Sequence, residues 1–256
     1  VGLALWGLPL GIDFTGGSLL EVTFSGAVPP NAEVSALYAT AGVEDAVVQT
    51  TGTNGLVIRS TTLDDAAQKE ILSRLSEQYG EVTLQRFESV GPAVGAEITQ
   101  RAGLAVGLAA IGILLYISFA FRRVQHPFRY GVTAIVAMLH DVAVVFGMQT
   151  FLSRFLGWQV DSLFLTALLT VIGFSVHDTI VVFDRIRENQ TTYRRLPFET
   201  IVNHSIVQTL DRSILTQLTV MFALLALAMF GGLTIRHFVI IMLIGVLSGT
   251  YSSIFN

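Results

Sequence analysis

The chain has 256 residues, 52% of them hydrophobic and 13% charged, with a formal net charge of −4 and a mean hydropathy of +0.64. Soluble globular domains carry about 25% charged residues. The apolar excess excludes a disordered chain, the lack of cysteine excludes a disulfide scaffold, and the acidic balance excludes a basic nucleic-acid binder. The charges divide unevenly: residues 1–100 carry four bases against twelve acids, residues 101–256 eleven bases against seven acids. An acidic, water-facing segment therefore precedes a series of apolar spans. The chain opens on Val1 and stops at Asn256 within an apolar run, which reads as a piece cut from something longer.

In chain order, residues 1–10 are apolar but too short to cross a bilayer and read as the end of a first transmembrane helix. Residues 11–100 read as a separate domain. Alternation predicts strands at Ser18–Phe24, Ala46–Thr51, Leu56–Ser60 and Val82–Ser89. Thr53-Asn54-Gly55 marks a hairpin turn between the second and third. Pro29-Pro30-Asn31 opens a helix over Glu33–Ala41, and Leu63-Asp64-Asp65 opens another that ends near Gly80. The order βαββαβ predicts a ferredoxin-like α+β domain, with Leu20, Val22, Val47, Ile58, Ile71, Leu75 and Leu84 in its core. This segment holds no nucleotide loop, metal-ligand cluster or nucleophile–base pair, so neither a cofactor nor a metal is expected.

Residues 101–256 form a transmembrane bundle of five further spans, about 102–121, 130–152, 162–183, 205–230 and 237–256, giving a polytopic six-span α-helical unit whose first and last spans are truncated. Arg122, Arg123 and Arg129 lie between the first two of these five, and Arg185, Arg187, Arg194 and Arg195 follow the third. The other loops hold only Arg154 and Arg236. The positive-inside rule puts the base-rich loops in the cytoplasm and residues 11–100 on the extracytoplasmic side.

Ionisable groups inside a span cost roughly 2.5–3.5 kcal/mol on insertion scales, so they mark either snorkelling ends or a functional interior. His140-Asp141 and His177-Asp178 repeat one doublet in two spans, and Asp211-Arg212 lies in the next. Neighbours on a helix point about 100° apart, so the members of a doublet cannot share one target. Asp178 shares a face with Ser175 and Val182, and His177 shares one with Thr170 and Gly173. Ser205, Gln208, Arg212, Thr216 and Thr219 recur at helical spacing and predict a polar stripe turned to a packed or hydrated interior. Counted from the span ends, Asp178 and Arg212 lie at similar depths, about 8 and 11 Å, so a contact between them is expected if their helices are neighbours. A carboxylate on one helix and an arginine on the next is the minimum for a proton-switched ion pair. Two GxxxG pairs, Gly103/Gly107 and Gly245/Gly249, permit close helix packing.

The segment Gly11-Ile12-Asp13-Phe14-Thr15-Gly16-Gly17 after a first span resembles the G-(I/L)-D-F-T-G-G motif of the SecF family. The run from Val176 to Asn189 is similar to that family's fourth-span motif, Gln208–Ile214 to its fifth and Gly249–Phe255 to its sixth. The family belongs to the resistance–nodulation–division superfamily, whose half-unit is six spans with an outer domain between the first two. The resemblance implies an accessory subunit of the prokaryotic Sec translocon, not an enzyme. With SecD, alone or fused in one chain, it uses the proton-motive force to drive or complete polypeptide export across the cytoplasmic membrane. It implies SecD, the SecYEG translocon, YajC, the translocating unfolded polypeptide and protons as partners. It maps the proton pathway onto Asp178 and Arg212 and marks Asp13, Gly16 and Gly17 as a structural motif; the residue pattern itself leaves His140, Asp141 and His177 as further candidates for the proton pathway. Two other readings remain open, a small-molecule or lipid exporter of the same superfamily and a non-transporting membrane scaffold. The first is disfavoured by the size of the outer segment, and the second predicts that Asp178 and Arg212 are dispensable.

Overall fold

The computed structural model describes residues 7–43, 45–122, 124 and 127–255. It divides into two compact units, residues 10–102 and residues 1–9 with 103–256.

In the first unit a short helical turn, α1 (Ile12–Thr15), leads into β1 (Gly17–Phe24), α2 (Asn31–Thr40), β2 (Val47–Thr51), β3 (Gly55–Ser60), α3 (Asp65–Tyr79) and β4 (Val82–Val90). Each expected element is present within two residues at its start. The Asp64 carboxylate accepts from Ala67 N at 2.8 Å and so caps α3, satisfying a first-turn amide that the helix cannot. The strands form one antiparallel sheet in the order β2-β3-β1-β4. Each helix thus connects two strands that have a third between them. Leu20, Val22 and Phe24 of β1 and Leu56 and Ile58 of β3 interlock with Val34, Leu37 and Tyr38 of α2 and with Ile71 and Leu75 of α3.

Five of the seven expected core residues are buried, and two are not. Val47 is 56% exposed, because on the edge strand β2 its neighbour Val48 takes the inward position. Leu84 stands opposite buried Val22 in the register, but β4 is the other edge strand, with a neighbour on one side only, and Leu84 stays 38% exposed. The two glycines of the expected motif have steric reasons. Gly16 has φ 76° and its absent Cβ would lie 2.8 Å from Pro92 Cα; Gly17 has φ 127° and its absent Cβ would lie 2.6 Å from the Ser60 carbonyl oxygen. No side chain fits either place.

The helix α4 (Pro92–Ala120) begins in the first unit and continues into the second, where α5 (Pro127–Leu156), α6 (Ser162–Thr192), α7 (Phe198–Phe230) and α8 (Leu233–Phe255) follow. Among the described residues these five helices are long and apolar enough to cross a membrane. Most of the expected first span lies outside the described residues, and residues 7–9 are not helical. The helices outrun the expected spans: α6 continues nine residues past Phe183, and α7 starts seven before Ser205. Arg185 and Arg187 therefore sit on α6 itself, and only Arg194 and Arg195 lie in the connection to α7.

Close packing follows the small residues. A Cβ at Gly245 would collide with Val171, and one at Gly249 would lie 3.4 Å from Ser175 Cα, so this glycine pair seats α8 on α6. A Cβ on Gly131 would lie 2.8 Å from Leu114 Cδ1, which brings α5 against α4. Gly103 and Gly107 meet nothing within 4 Å, so that pair makes no close contact among the described residues.

Candidate functional site

The bundle buries polar groups at three heights. At the ends of α5 and α6 nearest each other in sequence, Gln149 is fully buried, with Oε1 2.8 Å from His237 Nε2 of α8. Its amide nitrogen donates to the Trp158 carbonyl at 3.3 Å. At the opposite end, Asn189 of α6 donates to Ser205 Oγ at 2.8 Å and to Gln208 Oε1 at 2.9 Å, both on α7.

The middle layer contains the two buried carboxylates. Asp141 of α5 is 1% exposed. Ser248 Oγ donates to its Oδ1 and Ser252 Oγ to its Oδ2, each at 2.7 Å, and both serines stand on α8. His140 Nδ1 lies 3.2 Å from Oδ1, while the imidazole itself is part-exposed. Asp178 of α6 is 2% exposed, and its Oδ2 accepts from Gln217 Nε2 of α7 at 2.9 Å. Its helix-face neighbours Ser175 and Val182 are buried with it, whereas His177 and Gly173 are exposed. Both doublets thus turn the acid inward and the imidazole outward, as a 100° step requires.

Asp178 is the seventeenth of the 31 residues of α6, about 24 Å along the axis from Ser162, and the helix continues past it beyond the expected apolar span. Two expectations about this layer are corrected. The polar stripe of α7 is displaced: Ser205, Thr209, Ser213 and Gln217, four residues apart, are buried, while Gln208, Arg212, Thr216 and Thr219 are exposed. Spacing alone distinguishes a stripe from its neighbour one residue away only when the two differ in polarity, and here both are polar. The expected Asp178–Arg212 contact is not made. Gln217 takes that place, and Arg212, five residues earlier on α7, is turned about 140° around the helix from it. Among the described residues Arg212 has no ion pair.

Sequence reasoning did not single out Gln217. A uniform four-residue repeat of Ser, Thr, Ser and Gln from Ser205 was the available signal. Its chemistry is specific. The amide nitrogen donates to the carboxylate, and the buried Gln217 Oε1 has no hydrogen-bond partner among the described residues. A carboxamide turned by 180° offers that oxygen to a protonated carboxyl, so this pair accommodates both protonation states of Asp178.

The match to known proteins extends over the whole chain. The family described as Protein export membrane protein SecD/SecF, C-terminal, matches residues 70–256, and the SecD/SecF GG Motif matches residues 7–28. The chain belongs to the SecF family. It is 56% identical over 256 residues to the protein translocase subunit SecF of Anaerolinea thermophila, covering 99% of this chain and 83% of that one. Protein translocase subunit SecDF of Thermus thermophilus is 38% identical over 260 residues, 97% of this chain and 33% of the longer relative. The crystal structure of SecDF from Thermus thermophilus, a translocon-associated membrane protein, superposes with a TM-score of 0.86 at 35% identity over 99% of this chain and 34% of that chain. The family makes this a multi-pass membrane component of Sec protein export, and the GG match covers the two glycines whose Cβ positions are filled by backbone.

Proposed function

We propose that this chain, together with SecD, uses the proton-motive force to drive or complete polypeptide export across the cytoplasmic membrane. The observation that carries the reading is Asp178, a carboxylate buried mid-helix and held by one amide with a free oxygen. Asp178 is the proton-binding group. Arg212 stands on the α7 face that this chain leaves open, where a guanidinium inside a membrane span requires a partner; the SecD half, fused in relatives, supplies that surface. Rotation of α7 exchanges Gln217 for Arg212 beside Asp178. The guanidinium then favours the ionised carboxylate, and its withdrawal favours proton uptake. One charge crossing 100 mV supplies about 2.3 kcal/mol, enough to bias a conformational equilibrium roughly fifty-fold. Asp141, clamped by two serines, anchors α8 to α5 beside this path, with His140 and His177 on its outer side.

In the same reading residues 1–10 end the first span, residues 11–100 form an extracytoplasmic ferredoxin-like domain, and residues 101–256 form the motor bundle. The strand order β2-β3-β1-β4 supports the ferredoxin-like assignment. The base-rich ends of α4 and α6 support a cytoplasmic placement for that side. SecYEG, YajC and the unfolded polypeptide are the partners on which the work is done.

The test is gradient-dependent completion of export in membrane vesicles containing SecD. Asp178→Asn at equal protein level should abolish the gradient dependence, because an amide does not ionise. Arg212→Lys should weaken it, since lysine lacks the planar fork, and Arg212→Met should weaken it further. A wild-type response from Asp178→Asn overturns the motor and leaves the scaffold reading.

A further inference from the structure

The end of α4, the residues just after it and the last turns of α6 line an open cleft of about 610 Å³, with Phe119, Arg122 and Val124 on one side and Arg187, Glu188 and Thr191 on the other. The size lies within the roughly 300–1,000 Å³ range of small-molecule sites. Two guanidiniums face it, and each is positioned by an aromatic ring. Arg122 lies over Phe119 at 4.2 Å from the ring centroid, and Arg187 over Phe121 at 5.6 Å. Phe121 is fixed in turn by stacking on Tyr130 at 5.5 Å and by an edge contact with Phe183 at 6.0 Å. Arg187 has one carboxylate partner, Asp184, on its own helix. Arg122 has no ion pair among the described residues. The acid in the lining, Glu188, is already taken by Arg185 at 2.5 Å.

A continuous apolar track leads away from this cleft. Leu104, Leu108, Ile111, Leu115 and Phe119 are each more than half exposed and recur every three or four residues along one face of α4. Two fixed guanidiniums at the end of a membrane helix, continuous with an apolar strip the length of the span, match a molecule with an anionic head and a hydrocarbon tail.

We propose that this cleft binds the phosphate headgroup of an anionic phospholipid, with an acyl chain lying along α4. Arg122 and Arg187 hold the phosphate oxygens, and the leaflet is the one on the base-rich side. The proposal rests on α4 and α6 being membrane spans and is independent of whether the chain is a proton motor.

The experiment measures lipid retention by native mass spectrometry on the full-length protein purified with SecD, titrated with phosphatidylglycerol. One tightly held lipid is expected. Arg122→Gln with Arg187→Gln should weaken it roughly a hundredfold, about tenfold for each charge-assisted hydrogen bond to the phosphate that is lost. Arg194→Gln with Arg195→Gln, equally basic but outside the cleft, should leave it unchanged. Glu188→Gln removes the one acid among the described lining residues and should tighten binding, an effect that damage to the fold does not produce. Phosphatidylcholine should not be retained, and excess inorganic phosphate should not displace the lipid. Displacement by inorganic phosphate would mean that the site takes free phosphate and that the lipid assignment is wrong. Equal loss in the two double variants, or no gain from Glu188→Gln, overturns the site itself. Gradient-dependent export is not the readout, so failure here leaves the proton reading untouched.

Discussion

The two units of this chain bury different mixtures of side chains, the second adding many polar groups to an apolar interior. In residues 10–102 the enclosed side chains are almost all apolar, from Leu20 and Val22 to Ile71 and Leu75, and the charged groups face outward. In the helical unit Asp141, Gln149, Asp178, Ser213, Gln217, Ser248 and Ser252 are buried, while Leu108, Phe119, Phe222 and Phe230 are exposed. Water rewards apolar burial, so the first unit needs little else to specify its interior. Hydrocarbon gives no such reward, and helices that span it are matched through small residues and hydrogen bonds. Buried polarity in the first unit is limited, as at Ser18, which accepts from Leu63 N, whereas in the second it joins one helix to the next.

Exchanging the two chemistries should have the largest effect. Ile71→Asp places an unpaired charge in the sheet–helix core, where it lacks any partner, and should unfold that unit outright. Circular dichroism of residues 10–102 expressed alone would read it, against a folded wild-type segment. A native-like spectrum from the variant would break the comparison.

The converse change in the bundle should cost less but remain clear. Asp141→Ala deprives Ser248 and Ser252 of their acceptor and should lower stability by about 2–5 kcal/mol, whereas Ser252→Ala should cost about 1 kcal/mol. Thermal unfolding of the detergent-solubilised protein compares the two. Equal losses would show instead that the two bonds are not independent and that the clamp is made or broken as a unit.

Tyr38 sharpens the rule for the soluble unit. It is fully buried and its hydroxyl has no hydrogen-bond partner among the described residues. Burial pushes its phenol pKa up. The folded state keeps the proton where the unfolded chain, with a pKa of about 10, releases it. The stability linked to this group is therefore complete below about pH 10 and is lost as pH rises beyond it. Tyr38→Phe should change stability by less than about 1 kcal/mol at neutral pH and flatten the alkaline decline. Urea midpoints on both sides of about pH 10 test this, and an undiminished decline in the variant refutes the assignment to Tyr38. Smallest of all, Val47→Thr and Leu84→Thr on the edge strands should each stay within about 0.5 kcal/mol of wild type.

Local pattern made most of the fold legible. Alternation and turn residues placed every strand of the first unit, because a pleated strand repeats its environment every second residue and Asn54-Gly55 admits few other conformations. The run of apolar residues located five spans, although not their ends, since α6 and α7 continue as polar helices beyond the apolar core. Which edge positions are covered was not legible: Leu84 points the same way as Val22 and differs only in lacking a second neighbouring strand.

The site divides along the same line. From the sequence by itself came the identity of the unusual groups, three acids, two histidines and an arginine inside apolar spans, and the rule that a histidine and the acid beside it cannot share one target. Those statements depend on composition and on the fixed 100° step of a helix. Only the tertiary structure decided that Asp178 meets Gln217 while Arg212 faces outward, and that Asp141 is held by serines more than 100 residues away. The rotation of one helix about its axis against another is set by interlocking side chains and by close approaches such as Gly245 on Val171. A periodic polar pattern on two adjacent faces of α7 leaves that rotation undetermined until the helices pack.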